Sequence, residues 1–379
     1  MNRLFAITIA ALLSACQPSA SSTVATTNVN DDWALTGFVK ADSINPILKP
    51  TAALKFQCPV GGNTINWEER NVLNPAALVK GDSVYLLYRA QDLNGTSRIG
   101  LAVSADGLHF TKLPQPVLYP DADSLQVYEW NKLRSKNTAT KNSQKYFDGV
   151  EDPRIVATEN GAYLMTYTAY DGKTARLCMA ISKDLLHWQK KGLVLKEPAY
   201  KNYWSKSGAL VVKQAGSQMV AAKIKNRYWM YFGDTDIFLA SSTDLTNWQV
   251  ATFSESKKMV PALQPRPGYF DSRLVEPGPF ALLTRKGILL IYNASNAADY
   301  NDTLLSKFTY AAGQALFDTS KPYQLIKRQN NYFIHPDKDY EKVGEVNEVC
   351  FVEGLVYFKN KWFLYYGTAD SKIAVAVKE

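Results

Sequence analysis

Acidic and basic side chains gather in a few short motifs of this sequence, and each motif comes just before a strand-like apolar run. Asp152 stands in the string EDPR (151–154), directly after Glu151 and two residues before Arg154, and further carboxylates stand at Asp234, Asp236 and Glu276. An isolated aspartate in such a place more often caps a turn. Recurrence of carboxylates and arginines at equivalent points of several repeats favours a shared site instead.

Carboxylates, guanidinium groups and amides are the groups that a sugar site requires. Sugar hydroxyls pair with these polar side chains, while the faces of the ring pack on Trp or Tyr. Cleavage of a glycosidic bond also needs one carboxyl group that is protonated and one that is ionised. The polar motifs therefore predict a sugar site with carboxylates as acid and base.

Five hairpin-like repeats must position these side chains. Each repeat contains a run rich in Tyr, Trp, Leu and Ile that follows a polar turn, which indicates antiparallel strands. The repeats recur about every 60 to 80 residues, and sheets of this size bury both faces by packing radially. The runs are 84–90, 163–169, 228–233, 288–293 and 362–367. We therefore predict an all-β protein with a five-bladed β-propeller over residues 33–379; a β-sandwich is the alternative on strand count.

A shared turn follows three of the hairpins and is the main reason to prefer the propeller. It begins at Ser104, Ser182 and Ser242 and carries an aspartate two residues later. That aspartate can cap the turn through the backbone. His109 and His187 belong to this turn, so we assign them to structure and not to catalysis.

The first residues have the pattern of a bacterial lipoprotein export signal. A short apolar run ends in Leu13-Ser-Ala-Cys16, which predicts a signal peptide over 1–15 and a lipid on Cys16. Residues 16–32 are rich in Ser, Thr, Ala and Asn and predict a flexible tether. Gln17 lacks the acidic character that holds a lipoprotein at the inner membrane, so we expect a cell-envelope protein, anchored by lipid alone to the outer membrane.

Composition narrows the classes of partner. The net charge of +8 comes from scattered lysines, so nucleic acid is not an expected partner. Three histidines and the absence of a CxxC pair make a metal site improbable. Cys58, Cys178 and Cys350 are expected to be buried, with one disulfide as an alternative. Oligomeric state is left undetermined.

The motifs resemble those of glycoside hydrolase family 130, which comprises β-mannoside phosphorylases and β-mannosidases on five-bladed propellers. The resemblance runs from about Asn74 to the C-terminus. It implies that Asp152 is the general acid and acts through a substrate hydroxyl. The motifs are Asn74-Pro75, Tyr88-Arg89-Ala90, Gly149-Val-Glu-Asp-Pro-Arg154, Thr168-Ala-Tyr-Asp-Gly172, Ser182-Lys-Asp-Leu185, Lys206-Ser-Gly208, Glu276-Pro-Gly-Pro279 and Tyr366-Gly-Thr-Ala-Asp370.

The resemblance also implies two groups of binding residues. Asn74, Arg89, Arg154 and Asp370 would hold the mannose at the non-reducing end. Arg176 and Lys206 match positions that face the attacking phosphate in the phosphorylases.

Two departures from the phosphorylase pattern favour hydrolysis. Asn293, which we assign to substrate binding, stands where the phosphorylases have a phosphate-binding histidine, and Glu276 adds a carboxylate that repels a phosphate dianion. We predict an inverting exo-hydrolase of β-1,2- or β-1,4-mannosides without a cofactor, with Glu276 as the base and Asp234 or Asp236 as a second carboxylate. The alternatives are a phosphorylase, with inorganic phosphate as co-substrate, and a non-catalytic glycan-binding lipoprotein.

Overall fold

Short strands rich in β-branched and aromatic residues make up nearly all regular structure in the chain. The computed structural model describes residues 32–59, 62–120, 128–130 and 147–379. The predicted signal peptide and the lipidated Cys16 lie outside the described residues, as does the predicted tether up to residue 31. Trp33–Glu379 forms one compact unit.

The described residues contain 25 strands and one short helix, which confirms the all-β prediction. In chain order they are β1 (Val39–Lys40), β2 (Lys55–Gln57), β3 (Thr64–Asn66), β4 (Asn71–Lys80), β5 (Ser83–Gln91), β6 (Thr96–Ser104), β7 (Thr111–Lys112), β8 (Asp148–Ala157), β9 (Tyr163–Tyr170), β10 (Ala175–Ser182), β11 (Gln189–Leu193), β12 (Ala209–Ala215), β13 (Gln218–Ala221), β14 (Lys223–Ile224), β15 (Arg227–Phe232), β16 (Ile237–Ser242), β17 (Trp248–Val250), β18 (Pro261–Leu263), β19 (Leu274–Thr284), β20 (Gly287–Ser295), β21 (Tyr310–Phe317), β22 (Leu325–Arg328), α1 (Asp339–Lys342), β23 (Cys350–Phe358), β24 (Lys361–Thr368) and β25 (Lys372–Lys378).

Antiparallel pairing groups most of these strands into five consecutive sets. The first two sets are β4 to β7 and β8 to β11, the third is β12 to β18, and the fourth is β19 to β22. The fifth set, β23 to β25, is completed by β1, which pairs with β25 and ties the two ends of the domain together. Short parallel pairings join neighbouring sets.

The first strands of the five sets pack against each other in a ring. β4 contacts β8, β8 contacts β12, β12 contacts β19, β19 contacts β23, and β23 contacts β4. Apolar side chains fill the space between adjacent sets; one buried cluster joins Val79 and Leu86 of the first set to Val356 and Tyr365 of the fifth. Each fully buried side chain of this kind contributes about 1.5–3 kcal/mol to stability. Side chains at the same point of the first strands are thereby brought together.

Four of these first strands carry a β-bulge at a comparable point. The register shifts between Leu73 and Pro75 in β4, within 151–154 in β8, within 277–281 in β19 and between Val352 and Gly354 in β23. A bulge inserts an unpaired residue and turns its side chain to a new direction, often next to an active site. Asn74, Asp152 and Glu353 occupy these positions.

The shared serine and aspartate turn has the structural role that the sequence predicts. Asp106 Oδ1 accepts hydrogen bonds from the backbone N–H of Leu108 and of His109, both over 2.8 Å. Asp184 and Asp244 repeat this arrangement. The imidazoles of His109 and His187 contact the second oxygen of their aspartates, and an asparagine amide does so in the third copy. The structural assignment of both histidines is confirmed.

Cys58, Cys178 and Cys350 are buried thiols, as expected from their apolar surroundings. No helix in the described part of the chain is both long enough and apolar enough to cross a membrane.

Candidate active site

Asp152 stands at the centre of a buried polar cluster that four of the strand sets and the segment before β12 supply. Its Oδ1 accepts hydrogen bonds from Asn74 Nδ2 over 2.8 Å and from Arg89 Nη1 over 3.1 Å. Its Oδ2 lies 3.4 Å from Lys206 Nζ. The two oxygens thus face different neighbours: Oδ1 faces the first set, and Oδ2 faces the segment before β12.

These neighbours determine the ionisation of Asp152 in the free protein. Burial raises the pKa of this carboxyl, but Arg89, Lys206 and Arg154 outweigh it and hold the pKa well below its usual value. A general acid must carry a proton when the glycosidic bond breaks. The free protein therefore holds Asp152 in its ionised form, whereas the general-acid role expected from the family resemblance requires the protonated form.

Glu276 shows the opposite shift. Burial raises its pKa to about 7, against the lowering effect of Lys206 and Arg154. The Ser207 hydroxyl donates a hydrogen bond to Glu276 Oε1, and Arg154 Nη2 lies 3.9 Å from the same oxygen. Pairs of carboxyl groups whose environments separate their pKa values are typical of acid and base roles.

Arg154 lies beneath the cluster and is fully engaged by the protein. Its Nε and Nη2 donate to the backbone carbonyls of Gly278 and Pro277 over 3.0 and 2.8 Å, and Nη1 donates to the carbonyl of Asp152 over 3.1 Å. The side chain is only 1 % exposed. This placement favours a role in positioning Asp152 and the Glu276 strand over the sugar contact that the resemblance implies.

Glu353 is a member of the cluster that the sequence analysis did not identify. Its Oε1 lies 2.8 Å from Arg154 Nη2, yet neither oxygen receives a well-aligned hydrogen bond. Burial raises the pKa of this carboxyl well above its ordinary value, and Arg154 opposes the shift without cancelling it. The only signal in the sequence is the Glu-Gly pair inside an apolar strand, because a glycine there indicates a bulge.

Arg89 lies on the Oδ1 side of Asp152, and Asp370 is close enough to both for their charges to act on it. Arg89 is already bonded to Glu151, over 2.7 Å, and to Ser97, over 2.9 Å. Burial raises the pKa of Asp370 to about 6, with Arg89 opposing and Asp152 reinforcing the shift. Asp370 is half-buried and keeps carboxylate oxygens available to a ligand.

Gly367 makes this side of the site possible. A Cβ at this position would lie 2.7 Å from Asn74 Oδ1 and 3.0 Å from the Asn74 backbone nitrogen, so only glycine leaves room for the amide. Asn74 Oδ1 has no hydrogen-bond partner, although it is buried. A buried acceptor without a partner costs about 1–3 kcal/mol and is a point at which a sugar hydroxyl can bind.

Other predicted site residues lie at the edge of the cluster or outside it. Asp234 accepts a hydrogen bond from Trp204 Nε1 over 2.6 Å and is close enough to Glu276 to raise its pKa. Asp236 accepts one from Gln264 over 3.1 Å.

Asn293 and Arg176 form their hydrogen bonds with residues outside the cluster. The Asn293 amide makes two hydrogen bonds with the backbone of Val352, so it supports the bulge that carries Glu353. Arg176 donates to Asp171 over 2.9 Å and to Asn202 over 3.3 Å, and does not contact a member of the cluster.

Comparison with known proteins identifies the family. The sequence profile of glycoside hydrolase family 130, described as beta-1,4-mannooligosaccharide phosphorylase, matches residues 42–379. The chain belongs to glycoside hydrolase family 130. The family resemblance that the motifs indicated is thereby confirmed.

Characterised relatives of this family 130 chain are named as phosphorylases. A 1,2-beta-oligomannan phosphorylase of Thermoanaerobacter sp. (strain X514) is 32% identical over 83% of this chain and 91% of its own length. A beta-1,2-mannobiose phosphorylase of the same organism is 31% identical over the same shares.

Among the solved structures of related proteins, one is described through hydrolases in the family and another is named a glycosyl hydrolase. One comes from work stating that the family of mannoside phosphorylases contains glycoside hydrolases that target beta-1,2 mannosidic linkages in Candida mannan; it is 38% identical, with a TM-score of 0.86, over 93% of this chain and 96% of that one. A glycosyl hydrolase from Bacteroides ovatus is 39% identical, with a TM-score of 0.84, over 92% of this chain and 95% of that one.

Proposed function

We propose that this family 130 chain removes the terminal mannose from β-1,2-linked mannosides, with inversion at the anomeric carbon. Two relatives support the linkage, because their names state β-1,2-linked mannose, and the description of one related structure says that the family contains hydrolases of β-1,2 linkages. The observation that carries the proposal is the buried pair of carboxyl groups, Asp152 and Glu276, which share Arg154 as a neighbour: Arg154 donates to the backbone carbonyl of Asp152 and lies 3.9 Å from Glu276 Oε1.

The fold proposed for this function is a five-bladed β-propeller. The ring formed by the first strands of the five sets supports it, as does the closure of the last set by β1. In such a fold the bulges of the first strands meet near the central axis, where Asn74, Asp152 and Glu353 would face the mouth of the channel.

In the proposed reaction, the bond between the anomeric carbon and the glycosidic oxygen breaks. Asp152 supplies a proton that reaches the departing oxygen through a hydroxyl of the bound mannose. A water oxygen bonds to the anomeric carbon from the opposite face, and its proton passes to Glu276. One water is consumed, and the products are mannose and the shortened glycan.

The protein ends this cycle with the proton on Glu276 and with Asp152 ionised. That is the distribution that burial of Glu276 and the cations around Asp152 favour in the free protein. The proton must therefore return to Asp152 before the next bond is cleaved. Lys206 lies 3.4 Å from Asp152 and raises the cost of that return while it stays charged.

Water is the acceptor that the site supports best. Glu276 is buried beside Ser207 and Arg154, and in its ionised form its carboxylate would repel a phosphate dianion. Asn293 cannot replace a phosphate-binding side chain, because both ends of its amide are bonded to Val352.

Phosphorolysis is the second candidate, and the named activities of the curated relatives favour it over hydrolysis. In that reaction a phosphate oxygen bonds to the anomeric carbon and mannose 1-phosphate is released. Lys206 is the observation in its favour, because it is a charged group between Asp152 and Glu276 whose pKa is raised by both.

The products released from β-1,2-mannobiose, with and without inorganic phosphate, test the proposal. We expect free mannose as the only product in both conditions. Mannose 1-phosphate that depends on phosphate would establish the second candidate. Binding of mannobiose without any product would indicate a non-catalytic glycan-binding protein.

The proposal also includes export and attachment to the cell envelope through a lipid on Cys16, with the outer membrane as the destination. Replacement of Cys16 by Ser should abolish incorporation of labelled palmitate and release the protein from the membrane fraction. Unchanged labelling in this variant would contradict it.

A further inference from the structure

An exposed tryptophan stands beside the catalytic cluster without a role in the mechanism. Trp204 is 44% exposed, although large aromatic side chains are usually buried. Its indole N–H donates to Asp234 Oδ2 over 2.6 Å, so the orientation of the ring is determined by a hydrogen bond. Because that hydrogen bond uses the edge of the ring, a face stays available for contact with a ligand.

The backbone that follows Trp204 is anchored to the scaffold. Ser205 donates its backbone N–H to Ala175 over 3.0 Å, and its hydroxyl accepts the N–H of Leu177 over 3.0 Å. Lys206 accepts a backbone hydrogen bond from Gly233 over 2.9 Å. A ring that is oriented before binding loses little entropy when a ligand packs on it.

A second aromatic ring extends this surface towards the cluster. The rings of Tyr170 and Trp204 meet edge to face, with their centroids 6.0 Å apart. Tyr170 is the last residue of β9, which pairs with β8, and it lies opposite Gly149. Its phenol is close enough to Glu151 and Lys206 for both charges to act on it. We call the Tyr170 and Trp204 pair the aromatic platform.

The Trp204 end of the platform lies towards the Oδ2 side of Asp152, because its partner Asp234 is close enough to Lys206 for their charges to interact. Lys206, two residues after Trp204, contacts Oδ2, whereas Asn74 and Arg89 contact Oδ1. The side chains proposed to hold the reacting mannose are therefore on the other side of the acid. An exo-acting enzyme binds one mannose there, so any further sugar of the substrate lies on the leaving-group side.

We propose that the aromatic platform binds the sugar ring of the leaving group by stacking on Trp204. The apolar C–H face of a pyranose packs on an aromatic face, while its hydroxyls remain free for polar partners such as Asp234. This inference rests on the proposed function, because the side of Asp152 that it assigns to the leaving group depends on exo cleavage.

Two substrates that share the reacting mannose but differ in the leaving group distinguish an effect on leaving-group binding from an effect on bond cleavage. β-1,2-Mannobiose carries a leaving sugar, whereas β-mannosyl fluoride carries only fluoride. In Trp204→Ala we expect kcat/KM for mannobiose to fall at least tenfold more than kcat/KM for the fluoride, with Trp204→Phe in between. Tyr323→Ala, which removes a similarly exposed ring outside the site, should leave both values unchanged.

Equal losses on both substrates would overturn the inference, because Trp204 would then act on the chemistry through Asp234. No loss on mannobiose would overturn it as well. If the wild-type protein turns over neither substrate, the proposed function fails. The role of the platform is then tested by measuring sugar binding with calorimetry. Trp204→Ala must then weaken mannobiose binding at least tenfold more than mannose binding; an equal effect, or no binding of mannobiose to the wild-type protein, would overturn it.

Discussion

Asn74 and Asp152 share a hydrogen bond of 2.8 Å, and both residues have a left-handed backbone with φ near 49°. Each sits in the bulge of the first strand of its set. For residues other than glycine this conformation costs about 1–2 kcal/mol, least for Asn and Asp. Both residues stand where a bulge turns a polar side chain into the cluster, and backbone strain at such positions is typical of functional sites.

Replacement of Asp152 by Asn tests its role as the acid. We expect kcat to fall by about 10²- to 10⁴-fold, because the amide cannot supply the proton. Mannose binding, measured by calorimetry, should change only a few-fold, since the amide keeps the shape of the carboxylate. The control is Asp106→Asn, in a surface turn, which should retain wild-type turnover. Wild-type turnover in Asp152→Asn would remove this residue from the mechanism.

The rate should have a narrow pH optimum. Asp370 must be ionised to accept hydrogen bonds from sugar hydroxyls, so kcat/KM should fall as the pH drops below about 6. The Asp152 and Glu276 pair must hold one proton, whichever oxygen carries it, and loses that proton above about pH 7. We therefore expect a bell-shaped profile between pH 4.5 and 9. A rate that is constant across this range would contradict the assignment of both groups.

Glu276 should lower stability at alkaline pH. Its pKa in the folded chain is about 7, above the ordinary value of 4.5, so the folded protein binds more protons than the unfolded one between these values. Stability then falls as the pH rises through this window. Glu276→Gln should unfold with a free energy about 1–3 kcal/mol higher than wild type at pH 8, and with little difference at pH 4.5.

The same variant should lose hydrolysis, because glutamine cannot accept a proton from water. Azide, which needs no base, should restore turnover and yield mannosyl azide. A wild-type rate in Glu276→Gln would transfer the role of base to Asp234 or Asp236. Denaturant unfolding at both pH values, together with the rate with and without azide, measures both effects.

Glu353 should behave as a neutral carboxyl group. Burial raises its pKa well above the ordinary value, so glutamine resembles the form that the folded protein favours. Glu353→Gln should cost less than about 1 kcal/mol of unfolding free energy, while Glu353→Ala should cost about 1–3 kcal/mol more because Arg154 loses its neighbour. A cost of about 3–5 kcal/mol for the glutamine variant would indicate a buried ion pair instead.

Sequence patterns were sufficient for the repeated strands and turns and for the carboxylate at the centre of the cluster. The apolar runs, polar turns and shared aspartate turn have the strands and hydrogen bonds that local chemistry predicts, because each depends on residues close in the chain. Asp152 was identifiable because its motif is contiguous. The N-terminal strand β1, with only two residues, carries no periodicity and pairs across the whole domain with β25.

Contacts between distant strands could not be predicted. Nothing in the sequence distinguishes Arg154, which is bonded to the carbonyls of Pro277 and Gly278, from an arginine that is free to hold a sugar. The sequence likewise predicts Asn293 as a substrate-binding residue, whereas in the structure its amide donates a hydrogen bond to the backbone carbonyl of Val352. The ionised state of Asp152 also depends on cations from other parts of the chain. The motif alone therefore predicts a carboxyl group but not whether that group is protonated.

The configuration of the first sugar released tests the central claim most directly. Proton NMR should follow a methyl glycoside of β-1,2-mannobiose in phosphate-free buffer, in the seconds before mutarotation. If Glu276 activates water opposite Asp152, the first signal will be α-mannose, formed by a single displacement. β-Mannose as the first product would contradict the account, because retention requires a covalent intermediate and a carboxylate that attacks the sugar itself.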